Sequence, residues 1–465
     1  MKAVVANPLL RSGFLGIISA LSFAPFNIFP IFLITFAWFF IKICESEKSK
    51  QLLLEAFCFF FGLHVACLYW LVYPLTFDLE KHWILIPFAI TLIPAYLSAF
   101  LLIPTFFVWK KAKKNPLLFA LSYCLTMKFY GCFLPGFPWV LPGYIWCCDE
   151  IFLQTVSIYG IYGLSFVTLL ISGYLGLSFL HYRSNNIKKI IYSAIIVGSF
   201  LAFIMLFGQC RLENNPTVFT NNKARIIQAN ISQKNKNDHN FAFSNLKKHL
   251  QLSRHDSQVD LVIWPEASIP YLYKENFAQL HDYLKSFLNK SEYLLAGAVR
   301  QDLSTGKIHN SVVVIDHNGI NVANYDKRKL LPFGEYVPFR KYIPFQGIAS
   351  DIGDFDPGEK TNILNINGMK IAFAICYEIV FPSEKDVDLI INITNDGWFG
   401  FTTEPFQHLQ ISRVRAIENG VPLLRATNYG ISVVFDPCGR EIARIPVDET
   451  GTIEINIPKK IKTLF

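Results

Sequence analysis

Charge is what this chain has least of. Asp, Glu, Lys and Arg make up 17 % of its 465 residues, against about 25 % in an average globular chain. Hydrophobic residues make up 52 %, Phe alone occurs 43 times, and the mean hydropathy is +0.33. Such a composition excludes intrinsic disorder and is too apolar for a simple soluble enzyme. Acidic residues are scarcest in the first half, where residues 1–209 hold 7 Asp/Glu against 14 Lys/Arg. Residues 210–465 hold the remaining 28 and 29, so nearly all of the net charge of +8 belongs to the first half. A general basic surface for nucleic acid is thereby excluded. Cysteine is scarce from about residue 220 onward, where only Cys376 and Cys438 of the ten remain. That excludes a disulfide framework. Glycine never clusters into a phosphate-cradling loop; Gly334 and Gly397 stand alone. No internal repeat or low-complexity tract is present.

What the first half has instead is long apolar runs. About 20 such residues cross a hydrocarbon core of about 30 Å. Seven candidates read out at roughly 12–26, 28–44, 51–74, 83–109, 116–133, 160–182 and 188–208. The first two meet at Phe23-Ala24-Pro25-Phe26, as two crossings or one re-entrant hairpin. A cleaved signal peptide is the competing reading of the first 24 residues. Against it, Ser22-Phe23-Ala24 runs straight into Pro25, and apolar spans continue beyond. With a cytoplasmic N-terminus, 12 of the 14 Lys/Arg fall on the inside and only Lys81 and Lys128 outside. The positive-inside rule demands that sign. Seven crossings from inside deliver everything after residue 209 to the outer face. Cysteines in this half read as small buried hydrophobes. Cys147-Cys148 has no His or Cys partner at ligand spacing, so no metal is indicated.

From about residue 220 the texture changes to short β-rich runs alternating with polar, helix-like segments. Strands are expected at Ala224–Gln228, Leu261–Trp264, Tyr293–Val299, Ser311–Asp316, Met369–Cys376, Leu389–Thr394, Leu423–Thr427, Ile431–Asp436 and Thr452–Ile457. Helices are expected at about 239–255, 273–290 and 404–419. Mostly apolar strands such as 388–393 imply a sheet covered on both faces. The organisation is thus a membrane domain over 1–209 and an α/β domain over 220–465. Cys438, in the turn-like Asp436-Pro437-Cys438-Gly439, is expected at the surface.

Three strand ends carry residues with chemistry. Leu261-Val262-Ile263-Trp264-Pro265-Glu266 runs a buried strand into Pro and then presents Glu266 at its tip. A helix-start or surface acid explains that stretch as well. Tyr325-Asp326-Lys327-Arg328-Lys329 leads into the rigid Pro332-Phe333-Gly334-Glu335 turn, and a solvated basic cluster is the alternative. Ile371-Ala372-Phe373-Ala374-Ile375-Cys376-Tyr377-Glu378 ends a buried strand in a thiol. A buried inert Cys is the alternative there. A nucleophilic Cys needs a base or cation beside it, which a Glu and a Lys from two other strand ends would supply.

The order Glu, Lys, Cys with these flanks resembles the carbon–nitrogen hydrolase (nitrilase) superfamily and, within it, the apolipoprotein N-acyltransferase family. The resemblance extends to Gly136-Phe137-Pro138-Trp139, Asn395-Asp396-Gly397-Trp398, Gln407-His408 and Leu424-Arg425-Ala426-Thr427-Asn428. It implies a multi-span α-helical membrane domain followed by a nitrilase-like αββα sandwich. It implies Cys376 as nucleophile, Glu266 as general base and Lys327 as the oxyanion-stabilising cation, with the Tyr377 N–H. Glu335 would support Lys327 and Glu266. Tyr377 and Glu378 would shape the pocket, and Asn395 and Trp398 would line a lipid entrance.

The implied reaction moves an acyl chain from a membrane phospholipid, through a Cys thioester, to the α-amine of the diacylglyceryl-cysteine of an apolipoprotein. No metal or organic cofactor is indicated and nothing requires more than a monomer; the resemblance implies the bacterial inner membrane, with the catalytic domain periplasmic. Three departures stand out. Family members usually carry a further transmembrane helix, whereas this chain ends at Lys459-Lys460-Ile461-Lys462-Thr463-Leu464-Phe465, so anchoring on one side is expected. Asn237 follows Gln233-Lys234-Asn235-Lys236 where the family often has an aromatic residue, and Gly397 replaces an Ala. The rival enzyme reading is a membrane-tethered amidase in which water resolves the acyl-enzyme. A receptor or transporter would instead use intramembrane polar groups such as His64 and Glu55.

Overall fold

The computed structural model describes residues 7–133, 136–254, 257–274, 278–289, 292–338, 340, 353–359, 361, 363–382 and 384–462. The chain divides into two units, the first closing at Asn215 and the second starting at Pro216.

The first unit is helical. Its main helices are α1 (Pro8–Ser19), α2 (Phe29–Glu45), α3 (Ser49–Leu68), α4 (Ile86–Phe100), α5 (Leu102–Lys111), α6 (Pro116–Tyr130), α7 (Val156–Arg183) and α8 (Ile187–Asn214). Asn7, Asn115 and Asn186 cap α1, α6 and α8 by accepting first-turn N–H groups. Among the described residues, four stretches are long and apolar enough to cross a bilayer: Ser49–Thr76, Leu79–Lys111, Val156–Arg183 and Ile187–Asn214. Pro8–Ser22 is a shorter apolar helix. The apolar surface of α8 faces outward, with Ile191, Ile195, Phe203 and Leu206 exposed. That is the reverse of a water-soluble helix and suits hydrocarbon. Helices meet through small residues and polar clasps. A Cβ on Gly16 would lie 1.9 Å from the Phe59 carbonyl, so only Gly lets α1 approach α3 so closely. His64 Nδ1 is 2.9 Å from Ser98 Oγ, and Lys42 Nζ is 3.0 Å from Glu55. Both polar groups that a transporter reading would need are thus engaged in helix-to-helix pairs. Trp70, Phe137 and Trp139 form an aromatic cluster, Phe137 and Trp139 stacking at 5.6 Å.

The second unit is a sandwich of two sheets. The first sheet holds β1 (Phe219–Gln228), β2 (Leu261–Ile263), β3 (Ile269–Tyr273), β4 (Tyr293–Gln301), β5 (Ile308–Ile315), β6 (Asn321–Asp326) and the late strand β13 (Gly451–Pro458). Its order is β13-β1-β2-β4-β5-β6, with β3 beside β4. The second sheet holds β7 (Ile363–Ile366), β8 (Met369–Ile375), β9 (Leu389–Thr394), β10 (Leu423–Thr427), β11 (Ser432–Phe435) and β12 (Glu441–Ile445), in the order β12-β11-β10-β9-β8-β7.

Period-two alternation sorts each first-sheet strand into two cores. Ile226, Ile263, Leu295, Val312 and Val314 meet Ile371, Phe373, Ile391, Ile393 and Leu424 of the other sheet. Their neighbours Ile227, Val262, Leu294 and Val313 face the opposite way, under Leu246, Leu250, Leu280 and Leu284. Those four leucines lie on α10 (Ala242–Ser253) and α11 (Ala278–Lys285), which follow the short α9 (Gln233–Asn237). On the second sheet, α12 (Glu404–Asn419) packs on β10 and on the turn after β8, to which Arg415 donates at the Ile379 and Val380 carbonyls. The result is four layers, αββα.

All nine expected strands form. Four were not anticipated: β3, β6 as a full strand, β7 and β12. Among the described residues of the helix expected over 273–290, Ala278–Lys285 are helical. Cys438 is a correction: its turn forms, Gly439 N donating to Asp436 O, yet the side chain is buried at 1 % exposure. The side chain of Asn237 lies outside the described residues.

Candidate active site

Strand direction brings the three strand ends together. β2 and β4 are parallel, and β4, β5 and β6 alternate in direction. The C-terminal ends of β2 and β6 therefore meet at the N-terminal end of β5. In the second sheet β8, β9 and β10 are parallel. Their C-terminal ends gather Cys376, the Thr394–Asp396 segment and Asn428. A hydrogen bond from Tyr325 on β6 to Glu378 beyond β8 joins the two groups at 2.8 Å.

Glu266 stands in a turn that Pro265 forces out of the ladder. Gly297 on β4 leaves room for that turn. A Cβ there would lie 2.4 Å from Pro265 O and 2.6 Å from both Ala267 N and Glu266 Cα. The Lys236 ammonium of α9 donates to the Glu266 carbonyl at 2.6 Å. Burial pushes Lys236 down to about 8, while Glu266 pulls it upward.

Lys327 is the first residue past β6. Its N–H donates to Asn310 O and its carbonyl accepts from Gly358 N, both at 2.8 Å. The side chain is buried, with Nζ 2.9 Å from Glu335 Oε1 and 3.7 Å from Glu266 Oε1. Burial alone opposes the ammonium. Glu335, Glu266 and Cys376 outweigh it, so the pKa of Lys327 is raised and the charge is permanent. Asn310 Nδ2 donates to both Glu266 Oε1 (2.8 Å) and Glu335 Oε1 (2.7 Å), and Leu331 N donates to Glu335 Oε2 at 2.8 Å. Two carboxylates are thus held around one cation.

Cys376 sits at φ 51° on a sharp elbow between β8 and a 3₁₀ turn, Cys376–Val380. Such a backbone costs a non-glycine residue about 1–2 kcal/mol. Glu378 clamps the elbow. Its carboxylate accepts from Ile375 N (2.9 Å), Arg328 N (2.7 Å), Lys329 N (3.0 Å) and the Tyr325 hydroxyl (2.8 Å). One buried carboxylate therefore ties the elbow to the chain that carries Lys327. Burial pushes the pKa of Glu378 up against those donors. Tyr377 is buried and packs edge-on to Phe381 at 5.2 Å. For the Cys376 thiol, burial and Glu266 push the pKa up, while Lys327 and Thr394 pull it down. The net shift is upward, so the resting group is a thiol beside a carboxylate and an ammonium.

Asn395 and Trp398 belong to the turn that follows β9. Asn395 is buried, its amide donating to Gln233 Oε1 (2.8 Å) and accepting from Asn428 Nδ2 (3.1 Å). Trp398 is half-buried at the end of the Asp396–Trp398 3₁₀ turn. Sequence reasoning missed Asn310, Lys236 and the role of Tyr325. A signal for Asn310 exists: His309-Asn310-Ser311 is a polar start to an otherwise apolar strand, and all three are buried.

Comparison with known proteins decides the family. Residues 223–463 match the carbon-nitrogen hydrolase family, and residues 15–174 match the apolipoprotein N-acyltransferase N-terminal domain. An apolipoprotein N-acyltransferase of Rickettsia bellii is 33 % identical over 98 % of this chain and 92 % of its own length. That of Rhodopseudomonas palustris is 32 % identical over 96 % and 88 %. The chain belongs to the apolipoprotein N-acyltransferase family. Its second unit is also similar to yeast (Saccharomyces cerevisiae) Nit3, a nitrilase-superfamily member. That match has 19 % identity and a TM-score of 0.40, covering 51 % of this chain and 90 % of that one. Membership in this family makes the chain an acyltransferase. The candidate trio falls inside the part matched as carbon-nitrogen hydrolase.

Proposed function

We propose that this chain completes bacterial lipoprotein maturation, N-acylating the diacylglyceryl-cysteine of apolipoproteins with an acyl chain taken from a membrane phospholipid. The observation that carries the reading is Lys327, whose buried ammonium is shared by Glu266 and Glu335 and acts electrostatically on Cys376.

In the first step Glu266 takes the thiol proton as sulfur attacks the ester carbonyl. The transfer neutralises the carboxylate whose charge opposes the thiolate. Lys327 and the Tyr377 N–H stabilise the oxyanion. The tetrahedral intermediate collapses with loss of lysophospholipid, whose alkoxide receives the proton from Glu266. A thioester remains on Cys376. In the second step the lipopeptide amine attacks the thioester, Glu266 accepts an amine proton, and the thiol is regenerated by its return. Glu335 holds Lys327 and, through Asn310, Glu266. Tyr377 and Glu378 shape the elbow.

Both substrates are lipid-anchored, which gives the apolar half its task. Residues 1–209 form seven crossings with the N-terminus cytoplasmic, and 220–465 form a periplasmic catalytic domain of a monomer in the inner membrane. The twelve-to-two distribution of Lys/Arg supports that orientation. Trp398, half-buried on the turn ordered by Asn395, belongs to the acyl-chain entrance.

The test is an acyl mass adduct on Cys376 after incubation with phospholipid, discharged by a lipopeptide amine. Cys376→Ser should form no thioester. Glu266→Gln should lower acylation by about 10²–10⁴-fold and Lys327→Met by about 10²–10³-fold. Discharge mainly by water would replace the transferase by an amidase, and no adduct on any cysteine would reject both.

A further inference from the structure

The main chain of Cys376 is held by a buried charged network that the two-step chemistry leaves unused. His408 on α12 directs Nε2 at the Cys376 carbonyl, 3.3 Å away. Its Nδ1 lies 3.2 Å from Asp396 Oδ1 and 3.2 Å from Glu404 Oε1. Arg425 on β10 donates to Asp396 Oδ2 at 2.7 Å, lies 3.2 Å from His408 Nδ1, and also reaches Ser412 Oγ and Asn392 Oδ1. Asn392 Nδ2 returns to β8 at the Ala374 carbonyl (2.9 Å). Asp396, Glu404, His408 and Arg425 are each at most 1 % exposed.

Asp396, Glu404 and His408 offer ligand atoms within 4.8 Å of one another, as a metal site would. Arg425 already occupies that role. A dication at their centre would face the guanidinium, so the charge the carboxylates attract is Arg425 plus a proton on the His408–Glu404 pair. Burial and Asp396 push Glu404 up to about 7, and the carboxylates outweigh burial to raise His408. Wherever that proton rests, a carbonyl oxygen can only accept, so Nε2 carries the hydrogen that faces Cys376.

We propose that His408 is a positioning residue for the nucleophile: its Nε2–H holds the Cys376 carbonyl, and so keeps the positive-φ elbow aimed at Glu266 and Lys327. The inference rests on Cys376 being the nucleophile. Glu378 grips the elbow through the Ile375 N–H on one side, and His408 grips it through the Cys376 carbonyl on the other. Asp396, Glu404 and Arg425 fix the imidazole plane and so aim Nε2–H at the Cys376 carbonyl.

The experiment compares His408→Gln with His408→Asn in the full-length protein, reconstituted with phospholipid. Glutamine places an amide N–H near the position of Nε2, whereas asparagine reaches only that of Nδ1. Single-turnover acylation of Cys376 is followed by mass, with melting temperature in parallel. His408→Gln should acylate within about threefold of wild type, and His408→Asn about tenfold or more slowly, the scale of a misplaced reacting group. The phospholipid KM should be unchanged. Equal losses in both variants, a wild-type rate in His408→Asn, or a His408→Asn melting temperature far below that of His408→Gln would each overturn the assignment. Absence of an adduct in the wild-type protein would instead overturn the nucleophile itself.

Discussion

The hydroxyl of Tyr325 lies 2.8 Å from both carboxylate oxygens of Glu378. Tyr325 belongs to one sheet and Glu378 follows the last strand residue of the other, so this contact locks two sheets at their catalytic ends. Tyr325→Phe keeps the ring against Phe373 (6.0 Å between centroids) and removes only the donor. Glu378 then keeps three backbone donors in a buried site. The expected cost is about 1–3 kcal/mol of stability, read as a lower melting temperature, together with slower thioester formation on Cys376. An unchanged acylation rate would show that the clamp does not serve the elbow.

Asn310 joins Glu266 and Glu335 through one amide nitrogen, at 2.8 and 2.7 Å. Asn310→Ala leaves the two carboxylates sharing Lys327 without that bridge. Glu266 acts in both half-reactions, so acylation and amine discharge should slow together, by about tenfold or more. A loss confined to one half-reaction would assign Asn310 to substrate instead.

Gly297 is the floor under the Glu266 turn. Gly297→Ala would place a methyl 2.4 Å from Pro265 O. Overpacking of this kind costs about 1–3 kcal/mol, and a displacement of about 1 Å at Glu266 lowers activity by about 10²-fold. Gly198→Ala is the control. It lies on α8 with nothing within 4 Å of a built Cβ, so stability should hold or rise slightly.

Lys236 supplies a pH signature. Its pKa falls from 10.5 to about 8 on folding because burial disfavours the ammonium. Between those values the unfolded chain binds more protons than the folded one. Stability from this group is therefore fully present above 10.5 and lost as pH falls through about 8. The melting temperature of wild type relative to Lys236→Met should rise between those pH values. A flat difference would mean that Lys236 is solvated.

Much of the site was legible because buried strands announce their ends. Leu261–Trp264 stops at a proline before Glu266, and Ile371–Ile375 stops at Cys376. The strand leading into Lys327 was readable from its final residues, though its polar start at Asn321 hid its length. The edge strand β12, Glu441–Ile445, was missed because its half-exposed side chains leave no apolar run. Cys438 was misjudged because turn chemistry sets backbone shape and says nothing about what packs over it.

Local pattern by itself determined the apolar first half, the charge bias between its loops, the α/β texture of the second half and the three chemical strand ends. Each follows from periodicity, proline and charge over a few neighbouring residues. Only the tertiary structure decided which groups meet. Asn310 reaches Glu266 across 44 positions, Tyr325 reaches Glu378 across 53, and His408 reaches the Cys376 carbonyl across 32. Those contacts depend on strand order and on two sheets closing face to face. Sequence separation carries no trace of that geometry, because burial of the whole sandwich, and no local preference, brings those residues together.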